Sequence, residues 1–203
     1  MVTAKGKQIV IEVKKCIVIP QPLGTYMYLE SSKDFDTKTS KTLVIDGGSG
    51  TLDVTEMKGQ EVLSTDGSNL GMNEPYEAIA VVLESKYNGL EINVNHVPDI
   101  LLNGLRFAGS NIQVNDMKEI VAILDMHFKR VVNRVISKYK SFNKFDNVVW
   151  TGGMALSHSN RINAMNQPNF MILKDGQTAN VKGYYEFGRG LVQSGSKSSV
   201  QTK

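Results

Sequence analysis

The chain has 203 residues, is 41% apolar and 21% charged, and carries a net charge of +3, the balance of an ordinary globular protein of one large or two small domains. That charge implies no particular partner, no basic stripe with interleaved aromatics points to direct nucleic-acid binding, and no apolar run approaches the roughly 18 residues of a membrane span. Cys16 is the single cysteine, which excludes an internal disulfide and a cysteine metal site, and a free thiol fits a reducing cytoplasm.

The opening MVTAKGKQIVIEV lacks the apolar core and cleavage site of a signal peptide. Residues 8–19 alternate and then run apolar, which predicts a strand broken near Lys14 and Lys15. Pro20-Gln21-Pro22 ends it. A glutamine between prolines is rigidly presented, and its amide both donates to and accepts from water, so it could orient a nucleophilic water; an ordinary loop glutamine is the plainer reading. A short helix is predicted at 24–31, then a polar loop to 40.

Three strands follow, at 42–45, 51–58 and 60–65, an antiparallel meander turned at Gly59. Its first turn holds the most informative stretch, IDGGSGTLD. An apolar strand ends at Asp46, and Gly47, Gly48, Ser49, Gly50 and Thr51 lead into a second strand containing Asp53. Glycines permit positive φ and close approach of a ligand, and consecutive N–H groups form a concave anion site. A carboxylate there suits a hydrated divalent cation, which together predicts a cradle for a metal-bound polyphosphate; a plain glycine turn is the alternative.

The stretch DGSNLGMN, residues 66–73, reads as a loop, and 74–87 as a helix with Pro75 in its first turn. Residues 91–111 read as short strands and a short helix near 100–105. The strongest helix spans 116–139: apolar residues recur from Met117 to Tyr139 at helical spacing, Asp116 with Glu119 forms a capping-box pattern, and Lys118, Asp125, Lys129, Arg130 and Arg134 take the solvated face. His96, His127 and His158 lack metal-ligand spacing. His127 reads as a border residue of the stripe, and for His158 contact with a ligand is the lesser reading.

Val148-Val149-Trp150 reads as a buried strand. Thr151, Gly152 and Gly153 follow, and then a helix near 155–165. The unpaired N–H groups at such a helix start and the bare backbone of the glycines permit a ligand, or simply a strand–helix turn. A strand at 170–173, a helix at 179–193 and a small polar tail at 194–203 complete an α/β chain with a mixed sheet.

Pro-Gln, then IDGGSGTLD, then WTGGMA occur in an order that resembles the actin-like ATPase superfamily, most closely the plasmid-segregation actins of the ParM type; STDGSNLGMN and ANVKGYYEFGRG are also similar to segments of those proteins. The likeness covers roughly residues 17–191. It implies a ribonuclease-H-like actin-type domain at 20–193 with a small insert near 74–115, preceded at 1–19 by residual strands of another domain. It implies that Asp46 holds Mg2+ through water, that Gly47 to Thr51 form a phosphate loop, that Gln21 orients the attacking water, and that Gly152, Gly153 and Met154 face the adenosine, with Gly71 bordering the nucleotide. Asp53 matches a recurrent acid whose role could be structural.

The family's other phosphate loop, an acid–glycine hairpin, is absent before position 20. Catalysis by pre-organised charge needs both walls, so weak binding of ATP or ADP and little or no turnover are expected of these residues alone. The resemblance further implies filaments by self-association, and contact with plasmid DNA only through an adaptor protein. A non-catalytic interaction module and, less favoured, a sugar or acetate kinase remnant are the alternatives.

Overall fold

The computed structural model describes the chain apart from residues 1, 5, 6, 11, 14, 15, 20, 32–37 and 199–203. Its centre is a five-stranded mixed sheet in the order β5-β4-β3-β8-β9. Strands β3 (Lys41–Gly47), β4 (Leu52–Lys58) and β5 (Glu61–Ser68) form the predicted antiparallel meander, while β8 (Asn147–Thr151) lies parallel to β3 and β9 (Phe170–Ile172) parallel to β8. Leu43, Val44 and Ile45 are all buried, as expected of a central strand covered on both faces.

Alternation sorts these residues between two layers. Leu43, Ile45, Leu52, Val54, Val148 and Trp150 point to one core, completed by Ile79 and Leu83 of helix α2 (Asn73–Lys86) and Ile120, Leu124, Val131 and Val135 of helix α4 (Lys118–Tyr139). Trp150 is surrounded there by Phe128, Phe142 and Phe170. Val149 points the opposite way, into a smaller cluster with Leu29, Leu173 and Ala179. Helices α1 (Gln21–Ser31) and α7 (Gly176–Ser198) cover that face and pack on each other.

Between α2 and α4 lie helix α3 (Val97–Asn103) and the hairpin of β6 (Leu105–Phe107) with β7 (Ser110–Ile112), close to the predicted mixture. Near the start, β1 (Val2–Ala4) pairs with β2 (Lys7–Ile9).

Several expectations are corrected. The strand predicted over 8–19 stops at Ile9, and the described residues from 10 to 19 carry no regular structure. Val10, Val13 and Val18 are exposed there, so among the described residues no sheet covers this apolar run. Helix α1 begins at Gln21, three residues early, because Pro22 is compatible with a first helical turn. Strand β5 continues to Ser68, through part of the predicted loop. No side chain caps α4, whose N-cap is Met117, so the Asp116–Glu119 pattern is not a capping box. The helix predicted at 155–165 starts earlier and breaks at His158 into α5 (Gly152–Ser157) and α6 (Ser159–Ala164). Helix α7 runs through Ser198, so the first five residues of the expected tail are helical.

The polar face of α4 is exposed as predicted, and it also carries ion pairs to its neighbours. Arg134 donates through Nε and an Nη to both oxygens of Asp66, Arg130 pairs with Glu74, and Asp125 pairs with Arg161. These contacts tie α4 to β5, α2 and α6.

Candidate functional site

Parallel register sets Asp46 opposite Thr151, so the end of β3 and the turn after β8 are adjacent by construction. The ends of parallel strands at such a crossover are where α/β sheets form their clefts. Asp46 is the last acid of β3 and is only 3% exposed. Its Oδ2 accepts from Asn180 Nδ2 at 2.7 Å and from Gln21 Nε2 at 3.2 Å. Burial pushes the carboxyl up, the Asn180 hydrogen bond draws it down, nearby Asp53 pushes it up again and Gln21 draws it down; the net direction is upward.

Gly152 lies against the other oxygen. A Cβ on this residue would stand 2.6 Å from Asp46 Oδ1 and would collide with the carbonyl of Gly47, and its φ of +79° is left-handed. Glycine is therefore required twice over, by space and by backbone conformation. Gly176, at the start of α7, closes the same corner, since its Cβ would stand 2.8 Å from Gly152 N. Thr151 Oγ1 donates to the Gly176 carbonyl at 3.2 Å.

The hairpin tip works differently from expectation. Gly47, Gly48 and Gly50 have no positive φ; the turn is closed by Gly48 N–H donating to Thr51 O at 2.9 Å. Gly47 is needed for room, because a Cβ there would meet Met154 Cβ and Sδ at 2.5 Å. Gly71 is also a packing glycine: a Cβ on it would collide with Ser49 O and the Gly50 backbone. Ser49 and Gly48 are then held by Asn73 N–H and Met72 N–H, which donate to their carbonyls at 2.7 and 3.1 Å. Around Gly50, by contrast, a Cβ would meet nothing, and around Gly48 only Thr51 O at 3.9 Å. The fold does not demand glycine at those two positions. Ser49, Gly50 and Thr51 are exposed, and Thr51 Oγ1 donates to Asp53 Oδ2 at 3.0 Å.

The structure thus gathers Gln21, Asp46, Gly47 to Thr51, Gly71, Gly152 and Gly153 at one end of the sheet. Met154 is the exception. Its side chain is buried under Gly47 in the main core, because the first turn of α5 folds back over the sheet, and so offers no exposed surface at the cleft. A helix of six residues also has only a short stack of peptide dipoles, which weakens the expected contribution of the α5 start. His127 is no border residue: it is buried, its Nε2 contacts Gly71 O at 3.1 Å and its Nδ1 contacts His158 Nε2 at 2.9 Å.

No family model and no curated protein matches the sequence. Solved structures do match. An archaeal actin homologue, Ta0583, superposes with a TM-score of 0.72 at 18% identity, over 84% of this chain and 55% of that one. The chain has the actin-like fold. ParM from a 15-stranded filament of Clostridium botulinum matches with a TM-score of 0.71 at 20% identity, over 91% of this chain and 56% of that one. MreB5 of Spiroplasma citri, solved bound to ADP, matches with a TM-score of 0.64 at 15% identity, over 86% of this chain and 60% of that one. The present chain therefore spans little more than half the length of these actin-like structures.

Two residues at this corner of the actin-like fold escaped the sequence reading. Asn180, in the second turn of α7, holds Asp46, and Thr25 of α1 holds Asn180. Asn180 lies inside ANVKGYYEFGRG, a segment noted above only for its resemblance. A polar, poorly helix-forming residue beside buried Ala179 was the available signal.

Proposed function

We propose that the chain is the nucleotide-binding half of a filament-forming actin-like ATPase acting in plasmid DNA segregation. The observation that carries this reading is the convergence of the Gly47–Thr51 tip and the Gly152 turn on the two sides of Asp46. The residues suit a magnesium-bound nucleotide. Among the described residues no group of three acidic or histidine side chains could enclose a metal, and a single carboxylate beside an exposed backbone loop fits a cation that keeps its waters and takes further oxygens from phosphates.

In this reading Asp46 holds Mg2+ through water, the backbone of Gly47, Gly48, Ser49, Gly50 and Thr51 cradles phosphate, and Gly152 and Gly153 leave a flat surface for the adenosine of ATP or ADP. Gln21, whose amide donates to Asp46, orients the attacking water once it turns to the ligand. Gly71 acts from beneath by supporting the tip. An ADP complex of Ta0583 and an ADP complex of MreB5 are in keeping with a nucleotide ligand, and the ParM filament with self-association. Contact with DNA passes through an adaptor protein, in the cytoplasm. One wall of the phosphate clamp lies in these residues, so binding is weak and turnover is low for them alone. Calorimetric titration of Mg·ATP into the chain and into a folded Asp46→Ala variant tests the reading: binding lost in the variant supports it, and identical binding refutes it.

One observation favours a second reading, a non-catalytic actin-fold module. Gln21 and Asn180 both donate to Asp46 Oδ2 in an almost fully buried site, an arrangement that is stable without a ligand. Light scattering that shows concentration-dependent assembly in the absence of nucleotide, with no response to Mg·ATP, would select this reading.

A further inference from the structure

Asn180 is fixed in one orientation by its surroundings. Its Oδ1 accepts from the backbone N–H of Thr25 at 2.8 Å and from Thr25 Oγ1 at 2.7 Å. A backbone N–H can only donate, so the carbonyl end of the amide must face α1. The NH2 end is thereby turned to Asp46 Oδ2, 2.7 Å away. Thr25 is itself fully buried, so this anchor does not exchange with solvent.

The two helices that carry this linkage cross with their backbones in contact. A Cβ on Gly183 would collide with the carbonyl of Gly24, and a Cβ on Gly24 would stand 2.6 Å from the Tyr184 ring and 2.8 Å from Asn180 O. The crossing lies within one turn of Asn180. The amide is therefore held by rigid elements on both sides, and the carboxylate it bonds has little freedom to rotate.

We propose that Asn180 is the positioning residue of Asp46. By donating to Oδ2 it leaves Oδ1 as the oxygen turned toward the Gly152 corner, and it holds the carboxylate aimed where a hydrated cation is read above to sit. This rests on the proposed nucleotide reading for its purpose, but the effect on Asp46 itself exists without any ligand. Hydrogen bonds to charged groups are among the stronger ones in proteins, so removing this one has a measurable consequence.

The experiment measures the Asp46 side-chain rotamer by three-bond NMR couplings at neutral pH in the ligand-free chain, and titrates Mg·ATP calorimetrically, for wild type, Asn180→Ala and Asn180→Ser. Neither replacement reaches Oδ2. The expected result is an averaged Asp46 rotamer in both variants, against a single one in wild type, and an affinity for Mg·ATP lower by about tenfold or more. A single, unchanged rotamer in a folded variant overturns the proposal, as does loss of the fold in both variants, which would assign Asn180 to folding alone. Failure of the nucleotide reading is distinct: Asp46→Ala would then bind Mg·ATP like wild type while the rotamer averaging in the Asn180 variants persists.

Discussion

His127 of α4 and His158, in the break between α5 and α6, meet through their ring nitrogens at 2.9 Å, and the chemistry of the third partner fixes which nitrogen carries which proton. Gly71 O can only accept, so His127 Nε2 carries a proton; His127 Nδ1 of the neutral ring then accepts from His158 Nε2–H. His158 Nδ1 is left as a buried acceptor without a partner. The pair props the Gly71 loop, which in turn supports the hairpin tip.

This pair makes stability depend on pH. Burial holds His158 down to about 3, with His127 and Arg161 acting in the same direction, and burial also lowers His127 against the opposing carbonyls of Gly71 and Leu70. Arg130 lowers His127 further, whereas Glu74 raises it. Both rings are neutral in the fold and take up protons on unfolding, so the contribution is complete above about pH 6.5 and is lost as pH falls, for His158 down to about 3. The limiting slope is about 1.4 kcal/mol per pH unit for each titrating ring. Asp46, shifted upward, acts with the opposite sign, so the comparison needed is urea unfolding from pH 7 to pH 5 of wild type against His158→Gln. Wild-type stability should fall more steeply with acid; equal slopes would contradict the assignment.

Gly152→Ala should be costly without any ligand. The residue would need a left-handed backbone and would press on Gly47 O and Asp46 Oδ1. The strained conformation alone is worth about 1–3 kcal/mol. Chemical denaturation should show a loss of at least that size, together with loss of Mg·ATP binding.

Gly50→Ala separates ligand from fold. A Cβ there meets nothing and the backbone is not left-handed, so unfolding free energy should stay within about 1 kcal/mol of wild type. If phosphate lies against this backbone, Mg·ATP affinity should nonetheless fall. Unchanged affinity would move the phosphate away from the tip.

Gly183→Ala should loosen the crossing of α1 and α7, because its Cβ collides with the backbone of Gly24 and no side chain can yield. The expected outcome is destabilisation of about 1–3 kcal/mol by denaturant unfolding. Wild-type stability would mean that the helices separate at little cost.

What the sequence made legible follows from periodicity. The first two strands of the meander, α2, α4 and the Val148–Trp150 strand have apolar patterns that their burial reproduces, whereas Val62 and Leu63 of β5 are exposed. The start of α1 was obscured because proline signals a break in one context and a first turn in another. The insert was obscured because α3, β6 and β7 are too short to set a period. At the site, the glycines were visible but their purposes were not: Gly47 and Gly71 answer to packing by Met154 and the hairpin tip, which only tertiary contact reveals. Asn180 was invisible as a functional residue because its partners Asp46 and Thr25 are 134 and 155 positions away. His127 reads as amphipathic-border polarity until His158 and Gly71 are seen to satisfy it.

The central claim is that one ligand touches both turns beside Asp46. Backbone amide NMR during titration with Mg·ATP tests it most directly. The account predicts that Gly48, Ser49 and Gly50 shift together with Gly152 and Gly153 at one common midpoint. Shifts confined to one of the two turns, or to the cleft of the insert lined by Leu90, His96, Asp99 and Arg106, would contradict it.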